Sequence, residues 1–117
     1  MSEVSDIVRA YYAAYQAKDR SAIEALVGDD FSFSSPYDDH IDRTLYFQKC
    51  WPNSEHHDRF RIEKLFVRGN EAFVRYELRL NSGVTFRNTE FLRLEAGKIK
   101  EVEVYFGNQQ GSVQKPE

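Results

Sequence analysis

Residues 84–94 combine an apolar strand pattern with two groups that can do chemistry. They alternate with period two, so Val84, Phe86, Asn88, Glu90, Leu92 and Leu94 share one face of a strand. The ends of that face are large and apolar, whereas its middle carries an amide and a carboxyl group. A buried group that loses its hydrogen bond costs about 1–3 kcal/mol, and an unpaired charge costs more. Glu90 therefore either meets a partner, with Arg75 and Arg79 the nearest candidates, or lines a cavity. In an apolar cavity its pKa rises, which keeps the carboxyl protonated and able to donate.

Other chemistry-bearing residues fall in two places. Tyr11, Tyr12 and Tyr15 sit on an N-terminal helical pattern. Consecutive helix positions diverge by about 100°, so all three cannot face one way. The simple expectation is packing with hydroxyls at the rim, and Tyr11 or Tyr15 is the candidate to reach the cavity as an oxyanion donor. Asp38-Asp39-His40 follows Pro36, and Asp38 or His40 is the candidate base. Three polar residues are also what an ordinary loop contains. His40, His56, His57, Asp38 and Asp58 offer metal-type donors, but their spacing matches no common ligand set. Adjacent His56 and His57 would leave a strand on opposite faces. Neither metal nor cofactor is expected. Cys50 with Trp51 reads as packing in a third helix rather than as a nucleophile.

Those residues need elements to position them. Val4, Val8, Tyr11, Tyr12 and Tyr15 predict a helix over 5–17. Asp19 or Ser21 can cap a short second helix through Val27, with Ser21 and Glu24 in a capping-box pattern, and Gly28-Asp29-Asp30 ending it. A short strand over 31–35 stops at Pro36. Asp42 opens a third helix to about Cys50, terminated by Pro52. In 58–68, Phe60 and Ile62 take one face and Leu65 and Val67 the other, which predicts a bulge near Glu63-Lys64. Strands over 71–80, 84–94 and 98–106 follow, separated by Gly-containing turns. Helices first and an antiparallel meander after give an α+β class: a cone-shaped curved antiparallel sheet wrapped around three helices.

The bulk numbers exclude several classes. The 117 residues make one domain, expected over 1–107 with a polar tail over 108–117. A net charge of −3 with interspersed signs gives no footprint for nucleic acid or an anionic membrane surface. No apolar run approaches the ~20 residues of a membrane span, and the first residues lack a signal-peptide core. The single cysteine fits a reducing compartment, so the expected location is the cytoplasm.

Ile7-Val8-Arg9-Ala10-Tyr11, Ala17-Lys18-Asp19, Leu26-Val27-Gly28-Asp29-Asp30-Phe31 and the closing Val104-Tyr105-Phe106-Gly107 appear in that order over residues 5–107. Their order and spacing resemble the nuclear-transport-factor-two-like superfamily, which includes ketosteroid isomerase, scytalone dehydratase and polyketide cyclases. The stretch from Ser35 to Arg43, with Tyr46 to Pro52 behind it, is similar to a small bacterial subgroup and implies no particular activity. The resemblance implies a cone with a hollow end. It puts Tyr11 at the ketosteroid isomerase oxyanion tyrosine and Glu90 at its protonated aspartate. That family's general-base aspartate before a proline is here Ser35 before Pro36. A serine hydroxyl cannot take a proton near neutral pH without its own base, so steroid isomerase activity is disfavoured.

The expected site thus has Glu90 as acid, Asp38 or His40 as base and Tyr11 as oxyanion donor. Tyr15, Ser35, Trp51, Tyr76, Phe86, Asn88, Leu92, Val102 and Val104 are the expected ligand-binding residues. Val74, Tyr76, Leu78, Phe86, Leu92, Val102 and Val104 should face the helix-covered concave side. The expected function is to bind or convert a small, mostly apolar organic molecule, as a cofactor-free isomerase, dehydratase, cyclase or hydrolase if catalytic. The alternative is a non-catalytic binding or association module using its outer sheet face. Phe73 and Phe91 fall on that face among Arg75, Arg87 and Arg93, and in this superfamily that face commonly pairs, so a homodimer is expected.

Overall fold

Apolar spacing decides where the first helix lies and how much of it is covered. In the structure, a computed structural model that describes residues 3–110, helix α1 spans Val4–Ala17 and buries Ile7, Val8, Tyr11, Tyr12, Ala14 and Tyr15. That is a broad stripe, wide enough to be gripped from two sides. Lys18 closes the helix in the left-handed region at φ 58°. Asp19 then accepts a hydrogen bond from the Ala22 N–H at 3.1 Å and caps α2 (Arg20–Leu26). Asp19, and not Ser21, is the cap, and Glu24 pairs with Arg20 instead of closing a capping box.

The chain enters strand β1 (Val27–Ser35) with no intervening turn. Gly28-Asp29-Asp30 was expected to break the chain, but it lies inside β1 because Val27 already pairs with Ile99. Asp38–Asp42 forms a short edge strand, β2, antiparallel to β1. Its five residues are almost all polar, so no alternation marks it in the sequence. Asp42 caps α3 (Arg43–Lys49) by accepting from the Leu45 N–H at 2.9 Å. Cys50 is the C-cap, and Trp51 and Pro52 start a 3-10 helix over Trp51–His56. The long strands β3 (His57–Arg68), β4 (Glu71–Leu80), β5 (Thr85–Glu95) and β6 (Lys98–Gln110) follow. β6 continues past Gly107, where the tail was expected, because its last residues still pair with Phe86 and Thr85. The rest of that tail, 111–117, lies outside the described residues.

The sheet order is β2-β1-β6-β5-β4-β3. Every neighbouring pair is antiparallel except β1 and β6, which run parallel, so the expected all-antiparallel sheet holds for four of the five pairings. The result is an α+β fold of three helices and a curved, unclosed six-stranded sheet. Two bulges bend it. Ile62 faces Tyr76 and Lys64 faces Arg75, leaving Glu63 as the extra residue where the pattern placed it. On β6, Phe106 faces Asn88 and Gln109 faces Phe86, which leaves an extra residue at Gly107. A side chain there would overlap the Arg87 carbonyl oxygen.

The parity reading holds on the inner face. Val74, Tyr76, Leu78, Leu92, Val102 and Val104 are buried in the core under the helices, and Phe86 is partly buried against it. On the outer face Phe66 and Phe73 are exposed, and the Phe73 and Phe91 rings lie 5.2 Å apart. Gly107→Ala is expected to lower stability by about 1–3 kcal/mol, because the backbone must shift to admit the methyl group. Urea unfolding with an unchanged m-value would report it, and a stability equal to wild type would contradict the packing described at the bulge.

Candidate functional site

A carboxyl group in an apolar interior needs donors, and Glu90 receives two from different elements. It is 6% exposed, on β5 between Val74 of β4 and Val104 of β6. The Tyr12 hydroxyl from α1 donates to its Oε1 at 2.5 Å, and the Tyr76 hydroxyl from β4 donates to its Oε2 at 2.5 Å. Asn88 Nδ2 donates to the Tyr76 oxygen at 3.2 Å, while Asn88 Oδ1 accepts from the Gly107 N–H at 3.3 Å. The bulge at Gly107 is thus tied to the carboxyl through an amide and a phenol. Burial pushes the Glu90 pKa up, the two phenols pull it down, and the net direction is upward. Arg75 and Arg79 are spent elsewhere, on Glu63 at 3.1 Å and Asp58 at 3.5 Å, so Glu90 is no ion pair.

A second phenol group lies beside the first. Tyr46 of α3 is hydrogen-bonded through its hydroxyl to Tyr11 at 2.6 Å and also to Tyr15. Burial raises the pKa of Tyr11, Tyr12, Tyr46 and Tyr76 well above the ordinary phenol value, and that of Tyr15 as well. These hydroxyls keep their protons and act as donors, not as bases.

Both groups border one cavity of about 440 Å³. Its remaining polar lining comes from Ser35, Asp38, Cys50, Asn53 and His57. Asp38, with a side chain 9% exposed, accepts from Lys49 Nζ at 2.7 Å and from Ser35 Oγ at 3.1 Å. Lys49 above all holds its carboxyl below the usual range, against the effect of burial. His57 is driven down to about 4 by burial and by nearby Lys18, so it is neutral at pH 7, and its Nδ1 has no hydrogen-bond partner among the described residues. Burial pushes the Cys50 thiol up to about 11, which leaves little thiolate at neutral pH. Tyr37 and Phe106, both exposed, pack edge to face with ring centroids 5.6 Å apart at the mouth.

The structure brings Tyr11, Tyr15, Ser35, Asp38, Tyr76, Phe86, Asn88, Glu90 and Val104 to this cavity, and four expected residues lie elsewhere. Leu92 and Val102 share the inner face but are fully buried in the core, deeper than the cavity. Trp51 packs behind Tyr15, with ring centroids 5.0 Å apart. His40 is turned outward: its φ is 52°, its N–H is held by Ser34 Oγ at 2.9 Å, and its Nδ1 meets Asp39 Oδ1 at 2.6 Å. There it nears Glu101 and Glu103, ligand-type atoms all within 4.8 Å of one another, but Glu101 is already held by Arg93 at 3.2 Å. Sequence reasoning missed Tyr12, Tyr46, His57 and Phe60. For Tyr46 the usable signal was its place four residues after the helix cap at Asp42, in a short helix facing the aromatic stripe of α1.

The profile of the SnoaL-like domain matches residues 8–102. The chain belongs to the SnoaL-like domain family. Among curated proteins, none matches the sequence. Among solved structures, an NTF2-like protein of unknown function from Cytophaga hutchinsonii shares 22% identity over 91% of each chain, with a TM-score of 0.75. A ketosteroid isomerase candidate from Kribbella flavida is 18% identical over 97% of this chain and 82% of its own, with a TM-score of 0.77. A polyketide cyclase candidate from Pseudomonas putida is 20% identical over 92% and 93%, with a TM-score of 0.70. Identities this low establish that the SnoaL-like chain shares their fold. No helix among the described residues is long and apolar enough to cross a membrane.

The folded SnoaL-like domain holds the Glu90 proton more tightly than the unfolded chain does. That contribution to stability is fully present below the ordinary glutamate pKa of about 4.3, and it is lost as pH rises through the folded value. Glu90→Gln removes the titration. The wild-type minus variant difference in unfolding free energy should therefore fall as pH rises from about 4 towards neutral. A difference that grows with pH would contradict the raised pKa. Tyr12→Phe, which strips one oxygen of its donor, is expected to cost about 1–3 kcal/mol in the same urea melts.

Proposed function

We propose that the protein binds and converts a small, mostly apolar organic molecule in the tyrosine-lined pocket, by acid–base chemistry that needs no cofactor. The observation that carries this reading is Glu90: a buried carboxyl held by two phenols and no cation, on the wall of an open cavity. A core with no function would place an apolar side chain there at less cost. Membership of a fold whose neighbours include isomerase and cyclase candidates supports the same class.

The two carboxyl groups of the pocket have environments that push their pKa values apart, and that divergence assigns roles. Glu90, raised, is the acid. Asp38, lowered by Lys49, is the ionised partner and the base. So weak a base removes only a proton that is already acidic, such as one on a carbon flanked by two carbonyl groups. The two hydrogen bonds joining Tyr11, Tyr46 and Tyr15 use two of three hydroxyl protons, leaving one for the developing oxyanion. Ser35, at the position where a steroid isomerase would carry its base, instead donates to Asp38, which disfavours that activity.

The outer face supports a homodimer. Phe66, Phe73 and Phe91 are directly opposed across β3, β4 and β5, on a sheet face where Phe66 and Phe73 are exposed among the described residues. A second copy would bury them, and light scattering should give twice the monomer mass at micromolar concentration. A single free, half-buried cysteine supports a reducing compartment such as the cytoplasm.

A screen of uncharged aromatic fragments by protein-detected NMR tests the pocket. Shifts should concentrate at Tyr76, Asn88 and Val104, and Glu90→Gln should retain binding but abolish turnover of any substrate found. Fragments that perturb only Phe66, Phe73 and Phe91 would favour the association module instead.

A further inference from the structure

A pocket that binds an apolar molecule still has to choose the charge of that molecule's polar end. Among the described residues, no Lys or Arg side chain lines the cavity. His57 is its one basic side chain and is neutral at pH 7. A ligand carboxylate or phosphate would thus lose its hydration without a free counter-charge, because the Lys49 ammonium is already paired with Asp38 at 2.7 Å. Cations fare no better. Both Glu90 oxygens are taken by Tyr12 and Tyr76, and both Asp38 oxygens by Lys49 and Ser35. The charge of Asp38 is already neutralised by Lys49 at 2.7 Å, so an ammonium group finds no free carboxylate charge there. What the pocket has to spare is donor capacity: one hydroxyl proton of the Tyr11–Tyr46–Tyr15 set, beside a Glu90 carboxyl whose hold on its proton burial strengthens.

We propose that the pocket is a charge filter, taking an apolar ligand whose polar groups are uncharged hydroxyl or carbonyl oxygens and rejecting carboxylates and ammonium ions of the same shape. The inference rests on the pocket reading above and adds what that reading leaves open. It makes specificity a property of charge and hydrogen-bond accounting: each carboxyl oxygen already holds a donor, and the buried phenols keep their protons. Asp38 contributes by pairing with Lys49, which leaves neither charge free for an ionic ligand.

Three probes of nearly equal size, naphthylmethanol, naphthoate and naphthylmethylamine, separate the possibilities. Trp51, packed on the pocket tyrosine Tyr15, reports binding by fluorescence. At pH 7 the alcohol should bind at least about 30-fold more tightly than either charged probe. The naphthoate should recover as pH falls through its own carboxyl pKa, since the neutral acid passes the filter. Asp38→Asn, which frees the Lys49 ammonium, should narrow the gap between naphthoate and the alcohol. If the variant does not fold, the pH profile of the wild-type protein still decides. Equal binding of all three probes at pH 7, or tightest binding of the amine, would overturn the filter and leave the pocket standing. Failure of all three to bind would overturn the pocket reading itself, and the filter with it.

Discussion

The hydrogen bonds from Tyr12 and Tyr76 to Glu90 are the constraint on which the rest of the structure turns. A carboxyl group this deeply buried is tolerated only if both oxygens find donors, and here they come from a helix and a neighbouring strand. The bond from Tyr12 fixes how α1 lies against the sheet. The bond from Tyr76 fixes the inner face of β4 against β5, and Asn88 carries the restraint on to the bulge at Gly107. Removing the carboxyl would release the helix, the sheet and the pocket rim from a single shared anchor.

Charge is distributed so that this anchor stays unpaired. The outer face of the sheet gathers its ions: Glu63, left over at the β3 bulge, meets Arg61, Arg75 and Arg87. Burial favours the neutral form of Glu63, but the three guanidinium groups outweigh it and hold the carboxyl low. Such half-exposed pairs add little stability singly. Their consequence lies in what they withhold, because every arginine near the inner strands is engaged outside and none reaches the cavity. The inner face is left with phenols, an amide and one carboxyl, which is a proton-donating surface.

Much of this was legible in the sequence, for reasons that can be named. Strand parity is a strict period of two, so placing Glu90 and Asn88 with Phe86 and Leu92 needed only the correct face. The switch of apolar parity between Ile62 and Leu65 located the Glu63 bulge for the same reason. The tyrosines were less readable. Tyr11 and Tyr12 do point about 100° apart, but α1 is gripped on two sides, so Tyr11 turns to α3 and Tyr12 to β4 and β5. Helical periodicity tells which residues diverge, not how many faces are covered. His40 was misplaced because a polar edge strand leaves no hydrophobic signature, and its left-handed backbone turns the ring outward. Trp51, Leu92 and Val102 share the pocket's neighbourhood but not its surface, a matter of depth that no one-dimensional pattern encodes.

The central claim is that burial raises the Glu90 pKa above its ordinary value, in a pocket where, among the described residues, only phenols hold it. A carbon-13 NMR titration of the protein labelled at glutamate side chains, with Glu90→Gln assigning the resonance, measures this directly. We expect the Glu90 carboxyl carbon to titrate well above the ordinary value of about 4.3, apart from the other glutamates. A midpoint at or below that value would mean that the buried carboxyl is a structural anion, and its assignment as the acid would have to be abandoned.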